Sequence, residues 1–184
     1  MSHAEHLFTP RDFLRYAVSR FNAAGVAYGH GTTNAFDEAA FIVLEGLSLP
    51  IDQLEPWLDA RLLPAERERL AGLVDARVET RKPASYLLNK AYLGELSFYV
   101  DERVIVPRSF IGELLRGEAI VGGAAALVPD AAAIDSVLDL CTGSGCLAIL
   151  AALVFPNARI DAVDLSPDAL AGAALFLGLH ALGL

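Results

Sequence analysis

The chain has 184 residues and a formal net charge of −9, with 54% hydrophobic and 20% charged residues. The apolar content excludes a largely disordered chain, and the lack of a Lys/Arg-rich run argues against binding nucleic acid through its phosphates. The N-terminus has no basic stretch followed by an apolar one, so it is not a secretory signal and we expect a cytoplasmic protein. The uncharged segment 169–184 is shorter than the roughly 20 apolar residues of a membrane span, so we expect no membrane contact.

The first region, residues 1–82, is predicted to be helical. The sequence Thr9-Pro10-Arg11-Asp12 supplies an N-cap, a proline at the first helical position and an acid in the first turn, and apolar residues then recur at helical spacing. A second helix is predicted from Phe36 to Leu47. A third begins at Pro64 and stops before Pro83.

The middle of the chain is predicted to form a β-hairpin and a short linker helix. Two β-rich segments, 96–100 and 103–106, flank a predicted turn at Asp101-Glu102. Ser109 is predicted to cap a helix that runs from Phe110 to Arg116.

The composition changes near residue 118. All but one of the 14 basic residues precede residue 119, and the sequence beyond it is rich in Ala, Gly and Leu. This shift indicates a division into regions of different architecture. We predict a helical domain, a β-hairpin linker and an α/β domain, over residues 1–82, 83–118 and 119–184.

The last region has the pattern of a nucleotide-binding α/β unit. Strand, turn, helix, strand and helix are predicted in that order, over residues 136–140, 141–145, 146–155, 160–163 and from 166 onward. The apolar run of the first strand is typical of a buried parallel strand. The order is β-α-β-α.

The turn D-L-C-T-G-S-G-C, from Asp139 to Cys146, is the feature most informative about chemistry. Glycines permit a close backbone approach to a ligand, and the following helix N-terminus presents unpaired N–H groups. Asp164, at the end of the next strand, suits the two hydroxyls of a ribose. No Lys-Ser/Thr follows the glycines, so a P-loop is excluded. The pattern favours an adenosine-containing cofactor over a plain tight turn, and Asp164 does not distinguish S-adenosylmethionine from NAD.

The motif V-L-D-L-C-T-G-S-G-C-L-A-I resembles the first motif of class I S-adenosylmethionine methyltransferases. F-P-N-A-R-I-D-A-V-D-L-S-P-D-A-L, R-K-P-A-S-Y-L and F-Y-V-D-E-R-V-I-V-P-R-S are similar to segments of the glutamine-amide methyltransferases that act on release factors and on a ribosomal protein. G-H-G-T-T-N-A-F-D-E-A-A, together with Cys141 in place of a glycine and Val106-Pro107-Arg108-Ser109, favours the branch that acts on large-subunit ribosomal protein L-three. The resemblance covers about residues 9–175.

The resemblance implies an α/β fold in which a helical substrate-recognition domain and a β-hairpin linker precede the first β-α-β-α part of a Rossmann-like methyltransferase domain. It implies S-adenosylmethionine as cofactor and a basic ribosomal protein as partner. The implied cofactor-binding residues are Asp139, Leu140, Cys141, Thr142, Gly143, Ser144, Gly145 and Asp164. Asp139 would orient the turn and reach the amino-acid moiety of S-adenosylmethionine. Alternatively, it would only accept hydrogen bonds from N–H groups of the turn. Arg108 is a further candidate, with a structural ion pair as its alternative.

In this family an N-P-P-Y motif holds the glutamine amide, and that motif is absent from this sequence. We therefore assign no catalytic residue and interpret the chain as a C-terminally truncated fragment. We expect it to bind cofactor weakly or not at all, and not to methylate. A release-factor methyltransferase, a non-catalytic protein-binding module and an NAD-type fragment remain the alternatives. The four histidines are scattered, so no metal site is predicted, and both cysteines are expected to be buried thiols.

Overall fold

A computed structural model describes residues 3–117, 120–122 and 126–181 of the chain. The fold is mixed α/β, as predicted, and it forms two compact units, residues 1–88 and 89–184. The boundary between the two units along the chain therefore lies thirty residues before the composition shift near residue 118. Residues 118 and 119, where that shift falls, and residues 182–184 at the end of the apolar tail lie outside the described residues.

The first unit is helical. Its helices are α1 (Pro10–Ala23), α2 (Ala35–Gly46), α3 (Pro64–Thr80) and α4 (Ala84–Leu87), with 3-10 turns at His3–His6 and Glu55–Trp57. The start of α1 is the predicted cap: the Thr9 hydroxyl accepts from the Asp12 N–H at 3.2 Å, and the Asp12 carboxylate accepts from the Thr9 N–H at 3.0 Å. The three predicted helices are confirmed, and the short α4 was not predicted.

The core of the first unit lies between α1, α2 and α3. Phe13, Phe21, Ile42, Leu70 and Val74 are each fully buried there. They come from the apolar face that the helical spacing indicated.

A buried ion pair crosses this core. The Arg77 Nε lies 2.8 Å from the Glu38 Oε1, and both side chains are only 3% exposed. Arg77 also donates to the Ala27 and Arg81 carbonyls, at 2.8 and 3.0 Å, while the Ala84 N–H donates to Glu38 at 3.1 Å. The pair thus joins α2, α3, the loop before α2 and the start of α4, with both charges hydrogen-bonded as burial requires.

The second unit contains two small sheets. Its elements are β1 (Lys90–Leu93), β2 (Leu96–Tyr99), α5 (Phe110–Arg116), β3 (Ser136–Leu140), α6 (Cys146–Val154), β4 (Arg159–Val163) and α7 (Pro167–Ala181), with a 3-10 turn at Ala131–Ala133. β1 and β2 are antiparallel, whereas β3 and β4 are parallel. The predicted α5 and the β-α-β-α order from residue 136 are confirmed.

The predicted position of the hairpin is wrong. Its strands are 90–93 and 96–99, and the chain reverses at Gly94, whose φ is +63°. Asp101 closes only a local turn, because its carboxylate accepts from both the backbone N–H and the side chain of Arg103. The segment 103–106 forms no strand.

The hairpin packs on the α/β part of its unit. Leu93 and Phe98 share one buried cluster with Cys146, Ile149 and Leu150 of α6. Burial of these side chains from water holds hairpin and helix together, which is why the unit begins at residue 89. Among the residues that the structure describes, no helix is both long and apolar enough to cross a bilayer.

Candidate functional site

The predicted turn lies at the carboxyl end of the parallel strands. The register pairs Leu140 with Val163, and the Thr142 N–H donates to the Val163 carbonyl at 3.0 Å. The chain therefore leaves β3 directly beside the end of β4, where Asp164 follows. Ligands of open α/β sheets bind at this edge.

Three residues of the turn adopt left-handed backbone. The φ angles of Cys141, Gly143 and Gly145 are +61°, +57° and +79°. For a residue with a Cβ this conformation costs about 1–2 kcal/mol, so Cys141 stands where a glycine would be the unstrained choice. A Cβ placed on Gly143 would meet no atom within 4 Å, whereas one on Gly145 would lie 3.2 Å from the Ala173 Cβ. The side of the turn at Gly143 is thus open to a ligand, and the side at Gly145 is packed against α7.

Asp164 holds the turn and the start of α7 together. Its Oδ2 accepts from the Gly143 N–H at 2.8 Å, and its Oδ1 accepts from the Ser166 N–H at 2.9 Å. The bonds from the Ser166 and Gly143 amides keep the pKa of Asp164 below its usual value, so the carboxylate stays charged. Each carboxylate oxygen has a second lone pair. Asp164 can therefore still accept hydroxyl hydrogen bonds.

Asp139 ties the turn to β3 through a side chain. The Thr142 hydroxyl donates to the Asp139 Oδ2 at 2.6 Å, and Thr142 is only 8% exposed. The carboxylate thus orients the turn through this hydroxyl.

The two cysteines have different environments. Cys146 is buried at the start of α6, and the Cys146 Sγ lies 3.0 Å from the Ser144 Oγ. Burial raises the pKa of the Cys146 thiol to about 11, so it is not a thiolate near neutral pH. Cys141 is exposed. The expectation of buried thiols is confirmed for Cys146 and wrong for Cys141, whose position in the turn turns its side chain to solvent.

Apolar side chains are exposed beside this turn. Leu140 is 67% exposed and Leu165, next to Asp164, is 99% exposed. Leu165 and Ser166 were not predicted as site residues. The sequence Ser166-Pro167-Asp168 does predict Ser166 as the cap of α7, and its hydroxyl accepts from the Ala169 N–H at 3.3 Å. The exposure of a leucine, by contrast, is not visible in a sequence.

Arg108 is exposed on the segment before α5, and its role remains a prediction. Within the described ranges, no group of three or more His, Cys, Asp or Glu side chains could hold a metal ion.

Comparison with known proteins identifies close relatives. No protein-family model matches the chain. Ribosomal protein uL3 glutamine methyltransferase of Burkholderia pseudomallei is 58% identical over 165 residues, which cover 90% of this chain and 52% of the relative. The proteins of that name from Bordetella pertussis and Bradyrhizobium diazoefficiens are 58% and 56% identical, covering 92% and 96% of this chain and 55% and 56% of the relatives.

The chain thus spans about half the length of the curated relatives it matches. At this identity over nine tenths of the chain, the resemblance indicated by the motifs is confirmed: the chain is a homologue of the ribosomal protein uL3 glutamine methyltransferases.

Proposed function

We propose that this chain takes part in the methylation of a glutamine side-chain nitrogen in large-subunit ribosomal protein uL3, with S-adenosylmethionine as the methyl donor. The observation that carries the proposal is its identity of 54–58% to proteins named for that reaction. The acidic net charge of −9 suits a basic ribosomal protein as partner. The reaction would belong to the cytoplasm.

The geometry of the turn supports the cofactor part of the proposal. The open side of Gly143 allows a ligand to approach the backbone closely. The remaining lone pairs of Asp164 suit ribose hydroxyls, and the exposed Leu165 offers apolar surface to a base. Residues 139–145 and Asp164 would hold S-adenosylmethionine, whose sulfonium carries the methyl group that is transferred.

The role of these residues would be to bind and to orient. Asp139 and Asp164 fix the turn from two sides, through Thr142 and through the Gly143 N–H. The turn therefore needs little reorganisation when a ligand arrives, which lowers the cost of binding.

We expect no methyl transfer from these 184 residues alone. An amide nitrogen is a weak nucleophile because its lone pair is delocalised, so the reaction depends on groups that position the amide. In the family that the sequence resembles, N-P-P-Y supplies these groups, and this sequence does not contain it. Residues 1–82 would then serve to recognise the substrate protein.

The cofactor proposal is tested by titrating the chain with S-adenosylmethionine while recording amide NMR spectra. We expect shifts concentrated at residues 139–145 and 164–166, and weaker binding by the Asp164→Asn variant. Asp161→Asn is the matched control, because Asp161 is an exposed β4 residue whose carboxylate pairs with Arg159 at 2.7 Å and has no bond to the turn among the residues that the structure describes. Equal binding by both variants, or no shift in the turn at millimolar cofactor, would refute the assignment.

Activity is tested with methyl-labelled cofactor and purified uL3. The Burkholderia relative is the positive control, and we expect label in uL3 only with that enzyme. Labelling by this chain would contradict its proposed inactivity. Binding of uL3 without cofactor binding would favour a protein-binding module instead.

A further inference from the structure

The parallel sheet of β3 and β4 is covered on one face only. Successive side chains of a strand point to opposite faces. Val137 and Ile160, which lie opposite each other in the register, are half-buried, and α6 contacts both strands. On the other face, Leu138, Leu140 and Val163 are 56%, 67% and 48% exposed. This second face, which we call the bare face, therefore presents apolar side chains to solvent.

An uncovered parallel sheet is unusual for a physical reason. Parallel strands are joined by crossover connections that place helices on the faces, so sheets of this kind are normally buried on both sides. Within the described ranges this sheet has two strands, and each of them has one edge without a strand partner. The bare face and the open edges together fit a partner that adds strands and a second layer of helices.

The charges on the bare face argue against a basic protein as its occupant. Residues opposite each other in the register share a face, so Arg159 and Asp161 lie on this face with Ser136 and Leu138. The Arg159 guanidinium pairs with the Asp161 carboxylate at 2.7 Å, so the two charges compensate each other. A basic ribosomal protein would find no excess of negative charge here, whereas a layer of helices packs on a sheet through apolar side chains.

The relatives contain a polypeptide that fits this surface. The match covers 52%, 55% and 56% of their lengths, so nearly half of each relative lies outside it. At 56–58% identity, the matched part of each relative shares the fold of this chain and hence its two parallel strands. The rest of the same polypeptide is then the nearest source of the additional strands and helices.

We propose that the bare face docks the half of a uL3 glutamine methyltransferase that this chain does not match, even when that half is a separate polypeptide. Leu138, Leu140 and Val163 pack against helices of that half, and the open strand edges pair with its strands. A covalent link is not needed, because burial of apolar surface drives such an association. The docking goes beyond the proposed function, whereas methylation by the assembled pair rests on it.

Co-expression tests the docking. A tagged form of this chain is produced together with the half of the Burkholderia relative outside the match, so that the two pieces fold in each other's presence. We expect the tag to retrieve the two polypeptides in equal amounts. Leu138→Glu should lower the retrieval at least about tenfold, because it places an unpaired charge in an apolar contact.

Leu153→Glu is the matched control. Leu153 is 62% exposed on α6, which packs on the other face of the sheet, and the charge change is the same. Both substitutions are made at positions that are exposed in this chain, so both variants should fold. The retrieval by Leu153→Glu should equal that of the parent chain.

Thiol labelling locates the contact. Leu138→Cys should react with a thiol reagent in the chain alone and be protected in the complex, whereas Leu153→Cys should react in both. Mass spectrometry separates these sites from the exposed Cys141. Methylation of uL3 by the complex is measured separately: a complex that forms without methylating would support the docking and contradict the proposed function.

Three results would overturn the docking. They are the absence of retrieval by the parent chain, equal retrieval by the two glutamate variants, and equal labelling of Leu138→Cys with and without the other half. Self-association of the chain that Leu138→Glu abolishes, without retrieval of the other half, would identify a second copy as the occupant and would equally overturn it.

Discussion

Replacing Arg77 by methionine should strongly destabilise the first unit. Methionine keeps much of the apolar stem but removes the donors that reach Glu38, Ala27 and Arg81. Glu38 is then left at 3% exposure without its cation, and the Ala84 N–H is its remaining donor among the described residues. Breaking a buried pair from one side costs about 3–5 kcal/mol, a large share of a typical unfolding free energy of roughly 5–15 kcal/mol.

The size of this loss of unfolding free energy should depend on how deeply the ion pair is buried, and not on the presence of an ion pair alone. Arg20 pairs with Asp75 at 3.1 Å, but those side chains are 38% and 39% exposed. Arg20→Met should therefore cost only about 0.2–1 kcal/mol. The double variant Arg77→Met/Glu38→Leu removes both buried charges, so it should be more stable than Arg77→Met alone by at least about 1 kcal/mol.

Urea unfolding followed by Trp57 fluorescence measures these effects, because this single tryptophan lies in the first unit. With a slope of about 2 kcal/mol per molar urea, Arg77→Met should lower the midpoint by about 2 M. A shift no larger than that of Arg20→Met would refute the reasoning. So would a double variant that is less stable than Arg77→Met.

Three further outcomes concern residues of the second unit, and Gly72 of the first unit serves as the comparison in the last of them. At pH 8, the exposed Cys141 should react with a thiol reagent at once. Cys146 should react only after denaturation, because it is buried and its pKa is raised to about 11. Mass spectrometry that found both cysteines labelled together in the folded chain would contradict this. The hydrogen bond from the Arg103 side chain lowers the pKa of the Asp101 carboxyl to about 2. The stabilisation from this pair should therefore be complete above pH 4 and be lost as the pH falls towards 2. An NMR titration that found the ordinary carboxyl midpoint for Asp101 would contradict this. Gly145→Ala should lower the free energy of unfolding by about 1–2 kcal/mol, because φ is +79° there. Gly72→Ala should raise it by about 0.5–1 kcal/mol, because Gly72 lies in α3 and a Cβ there would meet no atom within 4 Å. Thermal unfolding midpoints that shifted in the same direction for both variants would contradict this.

The sequence by itself determined the local elements of this protein. The Thr9–Asp12 cap, the Ser109 cap of α5 and the strand–turn–helix from residue 136 depend on hydrogen bonds and dihedral preferences within a few residues. The turn at Asp139–Gly145 was predicted for the same reason, including the glycine-like place of Cys141. Such features do not depend on contacts with residues that are distant in the sequence.

Tertiary structure alone decided which residues meet. The hairpin turned at Gly94 instead of Asp101, because packing of its strands on α6 selects among several β-rich segments of similar local preference. The same holds for the pairing of Glu38 with Arg77, 39 residues apart in the chain. Contacts of this range depend on burial and on the geometry of whole helices, which local patterns do not encode. The exposure of Cys141 and the two hydrogen bonds that Asp164 accepts were therefore visible only once the chain was folded.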